Sequence, residues 1–217
     1  MGIFRRMINK IIGKELKNDP RHDKEEESWI PGGEGKDEPT KVTPEELGKV
    51  LCGFCYNVTR NTVNDNNFLK ILGKNKRDVS GLLKMYYFYE MMTIYWFFTV
   101  LQIETFLKNE KIKNSIVESM YKALYIIMEP TDAGFKKIKE QFSRKHEEYN
   151  EVAKEKRGPN WLWPITTLLL NNLMQQKTED VYKTMQLTSL LSSYTITISD
   201  LIENKYNIVL DKNNSTK

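Results

Sequence analysis

Apolar residues recur at intervals of three and four through residues 1–17, where Ile3, Phe4, Met7, Ile8, Ile11, Ile12 and Leu16 fall on one arc of a helix. Arg5, Arg6, Lys10, Lys14 and Lys17 fill most of the remaining arc. The pattern predicts a basic amphipathic leader helix. It stops at Asn18. Residues 18–41 hold three prolines, three glycines and a dense mixture of charges, with Trp29 and Ile30 the only large apolar residues. Such a composition has too little to pack with, so a disordered linker is expected over 18–42, with the leader tethered to the main domain and not buried in it.

The domain itself is expected over 43–210. Thr43-Pro44-Glu45-Glu46 has a threonine cap, a proline at the first helical position and a glutamate at the third, a capping box that starts a helix. Leu47, Val50, Leu51, Phe54, Cys55 and Val58 trace its apolar face, and the Asn64–Asn67 cluster ends it. A short turn over 68–72 leads to the basic loop Gly73-Lys74-Asn75-Lys76-Arg77, read as solvated. Asp78 or Ser80 then caps a helix running to about Lys108, whose stretch from Met85 to Ile103 is apolar on every side.

A helix of that kind is either the centre of a bundle or a membrane span. Thirteen uncharged residues separate Glu90 from Glu104, short of the roughly 20 that a bilayer core requires. The central-helix reading follows. Further helices are expected over 111–128 (Ile112, Ile116, Met120, Leu124 and Ile127 inward), from Thr131 or Asp132 with a narrow stripe of Phe135, Ile138, Phe142, Tyr149 and Val152, over 164–176, and from a Thr178 cap to about Asn204. Tyr194–Ile198 has β-branched character, but no persuasive strand pair is visible, and 211–217 reads as a polar tail. The expected fold is all-α: a bundle of about five to six helices around one hydrophobic helix.

Charge sharpens the division of the chain. The leader carries five basic residues and one acid, residues 18–42 four basic and eight acidic, and the remainder 24 and 20. Since the body lacks a concentrated basic face, nucleic acid is not indicated as a partner. The two cysteines are too few for a secreted disulfide framework, so a cytoplasmic protein is expected. Lys10 and Lys14 interrupt any secretory apolar run, and Arg6 stands where a myristoylation signal needs Ser or Thr.

Chemistry adds little. Cys52-Gly53-Phe54-Cys55 falls in mid-helix, where no helix N-terminus lowers a thiol pKa, and packing cysteines are expected. His22 and His146 are the only histidines, too few for a Glu-x-x-His metal centre. No catalytic motif appears, and no enzyme activity, metal or cofactor is expected. Tyr86, Tyr89, Glu90, Trp96 and Phe97 are the candidates for lining a cavity that takes an apolar ligand. Glu90 is the most interesting acid, expected either to bond a tyrosine or lysine of a neighbouring helix or to face that cavity. The leading function is an interaction protein peripheral to an anionic membrane surface, bound through Ile3, Phe4, Arg5, Arg6, Met7, Ile8, Lys10, Ile11, Ile12 and Lys14. A protein partner docked on the same helix is the alternative, and a homo-oligomer stays open.

Overall fold

The computed structural model describes residues 39–128, 132–155 and 160–208, without the side chains of residues 128, 132–138 and 155. The leader, most of the linker, the polar tail, Pro130, Thr131 and the side chains of Phe135 and Ile138 lie outside the described residues. The compact unit begins at Pro39. In order it comprises β1 (Thr40–Val42), α1 (Pro44–Asn64), α2 (Asn66–Ile71), a 3-10 turn at Lys76–Asp78, α3 (Gly81–Phe106), α4 (Glu110–Met128), α5 (Asp132–Glu155), α6 (Leu162–Met174), α7 (Val181–Asp200), a π turn at Leu201–Lys205 and β2 (Tyr206–Ile208).

The protein is mostly helical, with seven α-helices among the described residues. The helix starts follow the caps written in the chain. Thr43 accepts from Glu46 N at 3.2 Å while the Glu46 carboxylate accepts from Thr43 N at 2.9 Å, closing the capping box. Ser80, not Asp78, caps α3, accepting from Leu83 N. Asp180, not Thr178, caps α7; the Thr178 hydroxyl instead accepts from Asp180 N and fixes the turn before the helix. The β-branched segment over 194–198 is helical, packed on α3 and α6, and its hydroxyls are satisfied within α7: Thr188, Thr195, Thr197 and Ser199 each donate to a carbonyl four residues back.

α3 packs against α1, α4, α5, α6 and α7. Apart from half-buried Leu101, every residue from Glu90 to Ile103 is buried, as expected for a helix apolar all round. Among the described residues no helix is long and apolar enough to cross a membrane. Pairings fix the helix directions. Thr62 bonds Tyr95 and Cys55 bonds Thr99, so α1 runs antiparallel to α3. Tyr194 bonds Thr99 at 2.6 Å and Ser199 donates to Gln102, so α7 runs parallel to it.

Two further expectations differ from the structure. The sequence places Val42 in the linker and offers no strand pair, but Thr40–Val42 forms β1 and pairs in parallel with β2, with Thr40 opposite Tyr206 and Val42 opposite Ile208. Three-residue strands so far apart in sequence leave no period to read. The face of α1 is also broader than its apolar residues suggest: Gly48, Cys52, Thr59 and Thr62 are buried, whereas Val50, Phe54 and Val58 are half-buried. α1 packs on both α3 and α4, so small and hydroxyl residues sit at the close approaches.

Candidate functional site

Glu90 and the aromatic residues around it occupy the seam between α3, α5 and α6. Tyr86 donates to the Asn172 carbonyl of α6 at 2.5 Å, and Tyr89 meets the Phe142 ring of α5 edge-on at 5.9 Å. Trp96 lies between Tyr121 of α4 and Phe142, with centroids 4.9 and 5.2 Å away. Phe97 touches His146 and Tyr149 of α5 at 5.1 and 5.5 Å. Thus four of the five expected cavity residues share the α5 face, and Tyr86 closes the end next to α6. Trp96 and Phe97 are fully packed by other aromatic rings.

Glu90 is 3% exposed, and its Oε2 faces the Lys145 ammonium of α5 at 3.5 Å. That is an ion pair longer than the 2.7–2.9 Å typical of a charge-assisted hydrogen bond. Lys145 is shared with the more exposed Glu148 at 3.3 Å. The Tyr149 hydroxyl and the Asn172 amide nitrogen lie buried in the same seam without a hydrogen bond of ordinary geometry. The amide is nonetheless near enough to favour the charged forms of both Glu90 and Tyr149.

Burial dominates the electrostatics. It pushes the Glu90 carboxyl above its usual value, with Lys145 offsetting part of the effect, and it pushes the Tyr149 hydroxyl far up. Burial also lowers His146, which Glu104 and Glu147 partly restore. The arrangement holds a buried carboxyl against one amine, a neutral phenol and one amide.

A second polar network sits on the opposite side of α3. Cys55 Sγ lies 3.2 Å from the Thr99 hydroxyl and 3.1 Å from that of Tyr194, which also bond each other. Burial raises Cys55 to about 11 and Cys52 well above its usual value. Both thiols are free and fully buried within α1, so they pack the core and hold their protons. Among the described residues no group of three or more His, Cys, Asp or Glu is arranged to hold a metal ion.

Tyr149 belongs to the apolar stripe expected of α5, whereas Lys145 escapes a reading of the sequence because α5 looks like a polar outer helix, and Asn172 because it is one polar residue near the end of the apolar α6. The signal for Lys145 is present in the register of α5: Phe142, Lys145, His146, Tyr149 and Val152 share one face at helical spacing. The expected binding residues Ile3 to Lys14 lie outside the described residues. No protein-family model, curated protein or solved structure matches this chain.

Proposed function

We propose that this is a non-enzymatic helical interaction protein of the cytoplasm, attached to an anionic membrane surface through residues 1–17. The observation that carries the reading is the basic amphipathic pattern of that segment. As a helix, seventeen residues extend about 25 Å, enough to lie along the headgroup plane. Each basic residue near an anionic surface contributes about 1 kcal/mol, and the segment carries five. Burial of α3 inside the bundle supports peripheral attachment over insertion, since the most apolar stretch of the chain is already covered by protein. The two free thiols favour a reducing compartment.

Co-sedimentation with vesicles tests the reading. The full chain should follow phosphatidylserine-containing vesicles and follow phosphatidylcholine vesicles much less. At the lipid concentration that half-saturates the parent, deletion of residues 1–17 should remove the binding. Binding unchanged by that deletion overturns the proposal.

A further inference from the structure

The end of the bundle where α3 and α7 begin carries an exposed apolar patch beside a basic loop. Because α7 runs parallel to α3, with Tyr194 level with Thr99, the first turn of α7 comes level with the first turns of α3. The Tyr86–Asn172 hydrogen bond brings the C-terminal end of α6 to the same place. Leu82 is 81% exposed, Met85 69% and Tyr182 65%, and Val181 and Met185 are exposed as well. These are apolar side chains facing water in a protein that buries most of α3. Leu82 and Met85 stand one turn apart on α3, and exposed apolar surface of this kind marks contact with a partner.

The surrounding charge says which partner. Lys70, Lys74, Lys76 and Arg77 are exposed and Lys84 is half-buried, against a single acid, Asp78, between Lys70 and Met85. Asp78 accepts from the Asn75 side chain, and Asp180 of the neighbouring turn caps α7 and pairs with Lys183 at 3.3 Å. Two copies meeting through this end would bring like-charged loops together. Exposed Leu82 and Met85 beside a loop rich in lysine and arginine, with the acids Glu179 and Asp180 on the α7 side matched by Lys177 and Lys183, instead fit a surface that is anionic outside and apolar just beneath.

We infer that this end is a second lipid-facing surface: Lys74, Lys76 and Arg77 meet anionic phospholipid headgroups, and Leu82, Met85 and Tyr182 enter the boundary below them. The inference takes its partner from the attachment reading above, but its contacts are independent of residues 1–17.

The test uses the full chain and vesicles of phosphatidylcholine with or without phosphatidylserine. The triple variant Lys74→Glu, Lys76→Glu and Arg77→Glu, and the variant Leu82→Ser with Met85→Ser, change exposed residues and should melt like the parent. Each should bind phosphatidylserine vesicles roughly tenfold or more weakly. A polarity-sensitive fluorophore on Leu82→Cys, selective because the native thiols are buried, should shift to the blue with those vesicles and not with phosphatidylcholine alone. Variants that bind like the parent, or an unshifted fluorophore, overturn the inference and leave the leader attachment standing. Loss of binding in these variants alongside undiminished binding after deletion of residues 1–17 supports the inference and overturns the leader attachment. Weakened binding that accompanies conversion of a parent dimer to monomer, seen by light scattering, overturns the inference in favour of self-association.

Discussion

Glu90 is an acid in a place that disfavours its charge. Glutamine keeps its shape and removes the charge, so Glu90→Gln should leave stability near pH 7 unchanged or slightly higher. Leucine removes the buried half of the Lys145 pairing, leaving the ammonium only the more exposed Glu148, and takes the carboxylate away from the Asn172 amide, so Glu90→Leu should cost about 1–3 kcal/mol in thermal or urea unfolding. A leucine variant more stable than the parent would mark the seam as polar for the sake of a ligand. The pH dependence has a defined sign. With its folded pKa raised above the usual 4.5, Glu90 binds its proton more tightly in the folded chain, so its contribution is most favourable below 4.5 and declines as pH rises through the folded value. The stability of the parent minus that of Glu90→Gln should therefore grow on acidification from pH 7 towards 4.5. His146 works in the opposite direction. Burial lowers it from 6.5, so its contribution is full above 6.5 and is lost as pH falls; the parent minus His146→Gln should shrink over that range. A flat difference for either variant would remove that group from the buried seam.

At the level of elements, α1 and α4 approach closely at Gly48. A Cβ on Gly48 would run into the Ile116 carbonyl and sit 2.7 Å from Ser119 Cβ, both on α4, whereas one on Gly53 meets nothing within 4 Å. Gly48→Ala should therefore destabilise the fold by about 1–3 kcal/mol, as overpacking does. Gly53→Ala should stabilise it by up to about 1 kcal/mol, because alanine is the better helix former. Equal effects from the two would mean that the helices are not in that contact. The same contrast shows what sequence can carry. The starts of α1 and α3 are legible because a capping box and a serine cap act within four residues of chain. The central position of α3 is legible because no face of it is polar. Gly48 and the Glu90–Lys145 pair are not, since each depends on which helix comes to lie opposite. Asp180 rather than Thr178 caps α7 because two neighbouring side chains compete for the same turn, a choice decided by backbone geometry.

For the molecule as a whole, the body is held by its buried helices and by a strand pair that joins its beginning to its end. Residues 39–210 should purify without detergent as a strongly helical protein, with unfolding followed by circular dichroism. Residues 43–210 lack β1 and should melt at a lower temperature, because β2 loses its partner and the core loses the buried Val42 side chain; equal melting temperatures would make the strand pair dispensable. Residues 1–17 carry an alternation of apolar and basic positions that has no counterpart in the balanced charge of the body. The most direct measurement of their membrane attachment is transfer: residues 1–17 fused to a soluble fluorescent carrier, mixed with phosphatidylserine-containing vesicles, with phosphatidylcholine vesicles and with a lipid-free protein extract. Fluorescence should follow the anionic vesicles and be released by salt. A fusion that ignores anionic vesicles and follows the protein fraction would contradict that attachment.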